Sequence, residues 1–311
     1  MIKAAIDIGT VTTRLLIGNV ENGRMDTLGY SSCITNLGEG LTSSGIISDS
    51  AYLRVEKALL EFREIIAQFS SLNKGEKTLP VKAVATSAMR DAANAQEVLA
   101  MLSEKGFNVE IISGKREAEL SFKGTLSGFD DLEKVVMSLD VGGGSTEVIL
   151  GTSDANILYS HSFDIGSRRV TEMFLKSDPP TSSELNDANR WIEKQTREAL
   201  AALPMEPLEI LAVAGTATSA LTMRDKIVEY DSSLVHGKRL YLTELQEIIS
   251  TLSALKLAER IHFPGLEPGR APVIIGGLIT LETLLKILNK DSFIVSNTDI
   301  LHGILLCHSS I

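Results

Sequence analysis

The sequence is poor in the residues that would indicate a metal cluster, a disulfide framework or a membrane segment. Its two cysteines, Cys33 and Cys307, fit neither a paired disulfide spacing nor a zinc pattern, and its five histidines are widely scattered. No apolar run approaches the roughly 20 residues of a membrane span. The N-terminal stretch runs directly into a strand pattern, unlike a signal peptide. We therefore expect a cytoplasmic protein without a membrane partner.

The chain also lacks an excess of positive charge. Lysine and arginine number 30 against 40 acidic residues, which gives a formal net charge of −10 at pH 7. A protein that coats nucleic acid needs a basic surface, so we expect no nucleic-acid partner. A polyanionic ligand would need a locally basic site on this chain.

A glycine-rich stretch, SLDVGGGSTEVILG at 138–151, interrupts two apolar strand patterns. Between the strands lie an acid, three glycines, two hydroxyls and a second acid: Asp140, Gly142, Gly143, Gly144, Ser145, Thr146 and Glu147. A tight hairpin is one interpretation, because glycine supplies positive φ and Asp or Ser bonds the turn backbone. The other is an anion-binding loop, because glycines let backbone N–H groups close on an anion and hydroxyls add donors.

A second copy of this pattern, AAIDIGTVTTRLLIG at 4–18, favours the anion-binding interpretation. Without a gap, the overlay aligns Asp7 with Asp140, Gly9 with Gly142, Thr12 and Thr13 with Ser145 and Thr146, and Gly18 with Gly151. We interpret this as an internal duplication, which predicts two similar lobes whose loops face each other across a cleft. A third stretch, VAGTATSAL, predicts a strand that ends at Ala214 and a Gly-Thr-Ala-Thr turn at 215–218 before a helix, with Gly215 and Thr216 as its candidate phosphate-binding residues. That turn is either a further phosphate site or a simple helix cap.

Strand and helix patterns alternate along the chain, which is typical of an α/β protein. At 311 residues with 44% hydrophobic content, two domains are the natural expectation. We expect a first lobe over 1–124, which the C-terminal helix at 298–311 could join, and a second lobe over 125–297. The spacings of Asn94 with Glu97 and of Thr181 with Glu184 predict capping boxes at two helix starts.

Acidic residues beside anion-binding loops need a compensating charge. Asp7, Asp140 and Glu147 would repel a phosphate, and a divalent ion such as Mg²⁺, which takes oxygen ligands, removes that conflict. We favour Asp140 as a metal ligand over the other two acids. The alternative for each is a turn-capping Asp or a solvated strand Glu.

The stretch ISGKREAELSFKG places two acids near the first turn of a predicted helix. The helix dipole favours both Glu117 and Glu119 there, but residues two apart point in different directions, so at most one faces the site. Arg90, which follows a buried strand, could clamp a phosphate, and a surface pair with Asp91 explains it equally well.

Together these motifs resemble the exopolyphosphatase / guanosine pentaphosphate phosphohydrolase family, which lies within the actin, sugar kinase and Hsp70 superfamily. The resemblance covers nearly the whole chain through seven stretches in family order: AAIDIGTVTTRLLI, AVATSAMRDAAN, IISGKREAELSFKG, SLDVGGGSTEVILG, FDIGSRRVTEMFL, AVAGTATSAL and PGRAPVIIGG. It implies two ribonuclease-H-like lobes with the active site between them. It also implies that the protein is a phosphoric anhydride hydrolase, which removes the terminal phosphate of inorganic polyphosphate or of guanosine pentaphosphate. The resemblance further implies a homodimer.

The resemblance also implies roles for individual residues. Glu117 falls on the family's catalytic glutamate, which deprotonates the attacking water. Mg²⁺ or Mn²⁺ would lie near Asp140 and Glu147. The expected phosphate-binding residues are Asp7, Gly9, Thr10, Thr12, Thr13, Arg90, Gly142, Gly143, Gly144, Ser145, Thr146, Gly215 and Thr216.

Three departures from the family pattern affect these expectations. The family commonly has Gly-Ser-Asn-Ser in the first loop, and here Val11 replaces the asparagine amide, which predicts lower phosphate affinity. Arg116 stands where an acid often precedes the catalytic glutamate, so the surroundings of Glu117 should be more basic. Longer members carry C-terminal helical domains, and we expect no processive action on long polyphosphate here.

Two other functions remain open from the sequence. An ATP-dependent phosphotransferase of the same superfamily would use similar loops and Mg²⁺, although no acceptor-site motif is evident. A guanosine tetraphosphate or pentaphosphate-binding regulator with weak activity fits the altered first loop. One basic stretch either lines a polyanion path or is a solvated loop: Arg224, Lys226, His236, Lys238 and Arg239.

Overall fold

The computed structural model describes residues 1–21, 23–72 and 79–307. Within it the chain divides into two compact units. The first unit holds residues 1–127 together with the chain from Asp299 onward, and the second holds Gly128–Thr298. The chain therefore leaves the first unit once and returns to it at its C-terminal helix.

The first unit is built on a five-stranded mixed sheet in the order β3-β2-β1-β4-β5. The strands are β1 (Ile2–Ile8), β2 (Thr12–Glu21), β3 (Arg24–Ile34), β4 (Val81–Ala85) and β5 (Val109–Ile111). The first three strands pair antiparallel, whereas β4 and β5 run parallel to β1. The carboxyl ends of β1, β4 and β5 therefore meet at one edge of the sheet.

Helices cover both faces of this sheet. They are α1 (Leu41–Ser44), α2 (Asp49–Leu72), α3 (Ser87–Asp91), α4 (Ala95–Glu104), α5 (Gly114–Leu126) and the last helix of the chain, α13 (Ile300–Cys307). Alternate side chains of β1 point to opposite faces. Ile6 packs in a cluster with Leu59 and Phe62 of α2, and Ala5 packs in a cluster with Leu120 of α5 and Ile304 of α13. The predicted helix at 298–311 is observed over Ile300–Cys307, and its residues 308–311 lie outside the described part.

The second unit is built on a six-stranded sheet in the order β10-β11-β9-β6-β7-β8. Its strands are β6 (Val135–Val141), β7 (Thr146–Thr152), β8 (Ile157–Phe163), β9 (Glu209–Val213), β10 (Arg239–Tyr241) and β11 (Ser292–Val295). Strands β6, β7 and β8 pair antiparallel, and β9 and β11 continue the sheet in parallel. The short edge strand β10 is antiparallel to β11.

Seven α-helices are described in the second unit. They are α6 (Ser167–Phe174), α7 (Ser182–Ala201), α8 (Ala214–Asp225), α9 (Ser232–Val235), α10 (Leu242–Ser253), α11 (Leu257–Arg260) and α12 (Ile274–Ile287). Helix α12 is buried continuously over 274–285 because it packs against α6, α7, α8 and α10. Despite this apolar helix, none of the helices in the described part of the chain is long and apolar enough to span a membrane.

The two sheets repeat one another. Strands β6, β7, β8, β9 and β11 of the second unit reproduce the order and directions of β1 to β5, and β10 is an addition. The predicted α/β class and the ribonuclease-H-like architecture of each lobe are confirmed. The duplication read from the sequence is confirmed as well, because the two predicted loops join the first two strands of their respective sheets.

One of the two predicted capping boxes is correct. The Thr181 hydroxyl accepts the Glu184 amide and the Glu184 carboxylate accepts the Thr181 amide. The box predicted at Asn94 is wrong. The Asn94 side chain instead exchanges two hydrogen bonds of 2.9 Å with the backbone of Ile47, so a tertiary contact replaces the local cap.

Removing the charge of Glu184 tests how much this cap contributes to the thermal stability of the second unit. Backbone N–H groups of Thr181, Ser177 and Lys176 donate to the Glu184 carboxylate and lower its pKa to about 2. We expect Glu184→Gln to lower Tm at pH 7. A carboxylate whose pKa is lowered by folding stabilises the fold at pH values above the usual pKa of 4.5, and this stabilisation is lost as pH falls through the lowered pKa. The Tm difference between the variant and the wild type should therefore shrink as pH falls from about 5 toward 2.

Thermal unfolding followed by circular dichroism at several pH values measures this effect. Glu198→Gln, an exposed change on the same helix, is the matched control and should leave Tm close to wild type at each pH. A Tm difference that does not vary with pH would contradict a role for the carboxylate charge.

Candidate functional site

The first glycine loop connects β1 to β2 and is closed by a single backbone hydrogen bond. The Gly9 amide donates to the Thr12 carbonyl at 3.0 Å, and a Cβ at Gly9 would lie 2.9 Å from that oxygen, so the close approach requires glycine. The Thr10 carbonyl accepts from Gly38 and the Val11 carbonyl accepts from residues 35 and 36. Within the described residues nothing accepts from the Thr10 and Val11 amides.

The second glycine loop, between β6 and β7, repeats this arrangement. The Gly142 amide donates to the Ser145 carbonyl, again at 3.0 Å. The carbonyls of Gly142 and Gly143 accept from the first amides of α6 at 2.9 Å, and Arg169 Nε donates to the Gly144 carbonyl. No acceptor for the amides at 143–145 occurs in the part of the chain that the structure describes.

Helix α6 approaches the second loop closely enough to depend on another glycine. A Cβ at Gly166 would lie 2.4 Å from the Gly143 carbonyl carbon and oxygen, so no other residue fits there without moving the loop. The loop carbonyls therefore point into the protein and the loop amides do not. Successive amides with their carbonyls turned away form an anion-binding concavity.

The hydroxyls of the two loops divide into two groups. Thr146 Oγ1 donates its only proton to the Ile165 carbonyl at 2.6 Å, and Thr13 Oγ1 lies 2.9 Å from Thr35 Oγ1. These two side chains brace the loops. The second group consists of Thr10, Thr12 and Ser145, which are also buried at the loops. The backbone amides are therefore the donors that both loops have in common.

Two of the predicted metal ligands are directly opposite each other on the second hairpin. Asp140 of β6 pairs in register with Glu147 of β7, and Glu147 pairs with Ser162 of β8, whose hydroxyl donates to Glu147 Oε1 at 2.6 Å. Both carboxylates are buried. Opposed residues of an antiparallel pair put their side chains on the same face, about 5 Å apart at Cβ.

This pair of carboxylates fits a hard divalent cation. Mg²⁺ is commonly held by one or two carboxylates, with water and phosphate oxygens completing its ligands. No group of three or more His, Cys, Asp or Glu residues suited to a metal occurs among the described residues.

The equivalent position of the first hairpin carries the opposite charge. Asp7 of β1 pairs in register with Arg14 of β2, which stands where Glu147 stands in the second sheet. Arg14 Nη2 and Nε donate to Asp7 Oδ2 at 2.6 and 3.2 Å, and Nη1 donates to Asp299. Burial raises the pKa of Asp7 although Arg14 opposes that rise. Arg14 is a candidate residue that the sequence analysis missed, although the alignment of the two sequence copies places it at the position of Glu147.

Arg90 and Glu117 meet at the edge where the parallel strands of the first unit end. Helix α3 follows β4 and carries Arg90, and α5 follows β5 and carries Glu117. Arg90 Nη1 donates to Glu117 Oε2 at 2.5 Å and to the Ile112 carbonyl at 3.1 Å. A cation and the predicted base are therefore in direct contact beside the first loop's strand.

The structure distinguishes the two acids of α5. The Glu117 residue is 8% exposed, whereas the Glu119 side chain is 33% exposed and accepts from Arg116 Nη1 at 3.1 Å. Glu117 is thus the acid that the fold turns inward, and the basic residue before it contacts Glu119. Helix α5 begins at Gly114, where the Ser113 side chain accepts from the Arg116 amide and fixes the first turn.

The predicted turn at Gly215 and Thr216 is wrong, because both residues belong to the first turn of α8. The helix begins at Ala214, whose φ of +63° is a left-handed conformation that costs a non-glycine residue energy. Thr216 Oγ1 donates to the Val141 carbonyl at 2.9 Å, which ties α8 to the strand before the second loop.

Arg270, a second candidate residue that the sequence analysis missed, packs directly against Gly215. A Cβ at Gly215 would be 1.8 Å from Arg270 Nη1, so the guanidinium occupies the space that a side chain would need. Arg270 Nε donates to Glu267 at 2.9 Å. The stretch PGRAP was visible in the sequence, but only the tertiary structure brings its arginine to the helix that follows β9.

The basic stretch of the second unit is largely engaged within the fold. Arg224 pairs with Asp225 and Glu244, and Arg239 pairs with Glu209. Both arginines are therefore paired with acids of the same unit.

Comparisons with known proteins agree with this geometry. The family model of the Ppx/GppA phosphatase family matches residues 16–309. Exopolyphosphatase 2 of Mycobacterium tuberculosis is 34% identical over 318 residues, which cover 97% of this chain and 97% of the relative. A guanosine-5'-triphosphate,3'-diphosphate pyrophosphatase of Pseudoalteromonas translucida is 27% identical over 306 residues, which cover 98% of this chain and 58% of the relative.

Solved structures give the same result. The crystal structure of an exopolyphosphatase-like protein superimposes with a TM-score of 0.91 at 29% identity, covering 98% of this chain and 96% of that one. The Aquifex aeolicus member of the Ppx/GppA family superimposes with a TM-score of 0.80 at 30% identity, with the same coverage of both chains. With its sheets, loops and acids arranged as described and the family model matched over most of its length, the chain belongs to the Ppx/GppA phosphatase family.

Proposed function

We propose that this protein hydrolyses the terminal phosphoanhydride bond of inorganic polyphosphate or of guanosine pentaphosphate. The observation that carries the proposal is the repeated glycine loop, closed by the same hydrogen bond in both units, with its carbonyls engaged and its amides available to an anion. The names of the relatives, exopolyphosphatase and guanosine-5'-triphosphate,3'-diphosphate pyrophosphatase, support these two substrates.

In this proposal Glu117 is the general base. Its carboxylate accepts a proton from the attacking water as the new oxygen–phosphorus bond forms. The bond from the terminal phosphorus to the bridging oxygen breaks, and inorganic phosphate and the shortened chain are released. Arg90, in contact with Glu117, holds the carboxylate in place and offers its other N–H groups to the terminal phosphate. The loop amides bind the phosphate oxygens on which charge develops.

Asp140 and Glu147 would hold a divalent cation, Mg²⁺ or Mn²⁺. When bound, such an ion neutralises phosphate charge and stabilises the leaving oxygen. Arg14 lies beside the first loop and Arg270 beside the start of α8, and we propose that both guanidiniums bind substrate phosphate. We therefore propose that the first loop relies on an arginine and the second on a metal. A homodimer and a cytoplasmic location stay predictions from the sequence.

Phosphate release from four compounds measured in parallel with Mg²⁺ tests the proposal. The compounds are short polyphosphate, long polyphosphate, guanosine pentaphosphate and ATP. Release from a polyphosphate or from the pentaphosphate is expected and identifies the substrate. Release from ATP only with a small acceptor present would favour a phosphotransferase. Tight guanosine tetraphosphate binding without any release would favour a regulator.

Glu117→Gln should lower kcat by about 100-fold or more, because general-base catalysis contributes about 10² to 10⁴. Substrate binding should remain, since the amide keeps the size of the side chain. Single-turnover phosphate release and a binding titration measure the two effects separately. Glu119→Gln, two residues along the same helix and turned away from Arg90, is the matched control. Equal losses in both variants would remove Glu117 from its role.

Asp140→Asn and Glu147→Gln should each weaken Mn²⁺ binding by at least about tenfold, because each removes one charged oxygen ligand. Electron paramagnetic resonance of free Mn²⁺ during titration of the protein reports this without any turnover. Asp154→Asn, an exposed acid at the β7–β8 turn, is the control. Mn²⁺ affinity unchanged in both variants would move the cation elsewhere.

Gly215→Ala should displace the Arg270 guanidinium and raise KM by about tenfold, the effect of losing a charged hydrogen bond. Tm should not fall, since alanine suits a helix better than glycine. Arg270→Ala should match this phenotype, and the double variant should be no worse than either single one. Multiplicative losses in the double variant would separate the two residues.

A further inference from the structure

Asp299 performs two separate tasks with its two carboxylate oxygens. Oδ1 accepts the Leu301 amide at 3.0 Å, which makes Asp299 the N-cap of α13. Oδ2 accepts from Nη1 of Arg14, a residue far away in the sequence. Burial alone would raise the pKa of Asp299, but Arg14 holds it well below the usual range, so the carboxylate stays charged. The start of the last helix is thereby tied to the first hairpin.

Arg14 meets Asp7 in an unusual way. An arginine fork commonly donates to both oxygens of a carboxylate. Here Nη2 and Nε both donate to Oδ2 of Asp7, and Oδ1 of Asp7 is buried without a hydrogen-bond partner among the described residues. Two bonds to one oxygen leave the second carboxylate oxygen of Asp7 out of the pairing. The contact with Asp299 is a further attachment of the guanidinium, on a different element.

We propose that Asp299 is a positioning residue of the first loop and acts through Arg14. It holds the guanidinium away from a two-oxygen pairing with Asp7. Three of the five N–H groups of Arg14 are engaged by protein acceptors in the described residues, so two remain for a bound phosphate. Asp7 Oδ1 stays buried without a donor among the described residues. The inference rests on the proposed function, in which this loop binds phosphate.

The charge pattern of the two sheets explains why this hairpin needs such a holder. The second hairpin has two opposed carboxylates, which a metal ion can join from solution. The first hairpin has a carboxylate and a guanidinium that attract each other. In a buried site this attraction favours a pairing in which Arg14 donates to both oxygens of Asp7. A third charged group, on a different element, keeps the arginine available to the substrate.

Asp299→Ser separates the two tasks. Serine is as good an N-cap as aspartate, so the start of α13 is preserved, but its short side chain no longer holds Arg14. The guanidinium can then turn onto Asp7 Oδ1. We expect KM for inorganic tripolyphosphate to rise by about tenfold, the loss of one charged hydrogen bond. We expect kcat to change by less than about threefold and Tm to stay within about 3 °C of wild type.

Asp231→Ser is the matched control. Asp231 also caps a helix, α9, by accepting the Ser233 amide at 2.8 Å. The same chemical change there should leave KM and kcat at wild-type values. A KM increase in both variants would mean that the effect comes from helix capping in general and would overturn the inference.

A double-mutant cycle with Arg14→Met tests whether Asp299 acts through the arginine. In the Arg14→Met background, Asp299→Ser should leave KM within about twofold, since nothing remains to be positioned. Independent, multiplicative effects would overturn the inference. So would a fall in Tm with unchanged KM in Asp299→Ser alone, because that result describes a purely structural residue.

Wild-type turnover distinguishes a failure of the inference from a failure of the proposed function. If the wild type releases phosphate and Asp299→Ser has an unchanged KM, the inference alone fails. If the wild type releases none, the proposed function fails, and calorimetric titration with inorganic tripolyphosphate still tests Asp299 through the Kd. About tenfold weaker binding by Asp299→Ser supports the inference, whereas equal binding, or none by either protein, overturns it.

Discussion

The backbone carbonyls of the two glycine loops are engaged by the protein, and the arrangement of both candidate phosphate sites depends on that constraint. In each loop one Gly amide closes the turn on a carbonyl three residues later. Neighbouring parts of the chain donate to the carbonyls of Thr10 and Val11 in the first loop and of residues 142–144 in the second. A peptide group whose carbonyl points inward presents its amide outward. The loops therefore offer donors to an anion without relying on hydroxyl side chains, two of which, on Thr13 and Thr146, are used to brace the fold.

A row of three residues in register lies across each sheet, and the two rows differ in charge. The two rows start with Asp7 and Asp140 and end with a serine on the third strand, but the middle position is Arg14 in one and Glu147 in the other. A duplicated hairpin has thus acquired one site with a built-in cation and one suited to a metal. Arg14 also donates to Asp299 at the start of the last helix, and in our proposal this contact positions the guanidinium.

Parallel pairing brings the remaining groups together in each unit. Strands β1, β4 and β5 end at one edge, so the first loop, Arg90 and Glu117 follow neighbouring strands although they are far apart in the chain. In the second unit β6 and β9 do the same for the second loop and the start of α8. The contact between Arg90 and Glu117 links the predicted base to a cation within the first unit.

The sequence by itself determined the α/β class, the duplication, both glycine loops and the capping box at Thr181, because each depends on residues close together along the chain. It also supplied Glu117 and Arg90 as candidates through motif resemblance. Only the tertiary structure brought Asp299 to Arg14 and Arg270 to Gly215, and only it turned Asn94 to the backbone of Ile47 and placed Gly215 inside a helix. Those contacts join residues that are distant in sequence, and their partners are decided by how strands and helices pack, which local patterns do not encode.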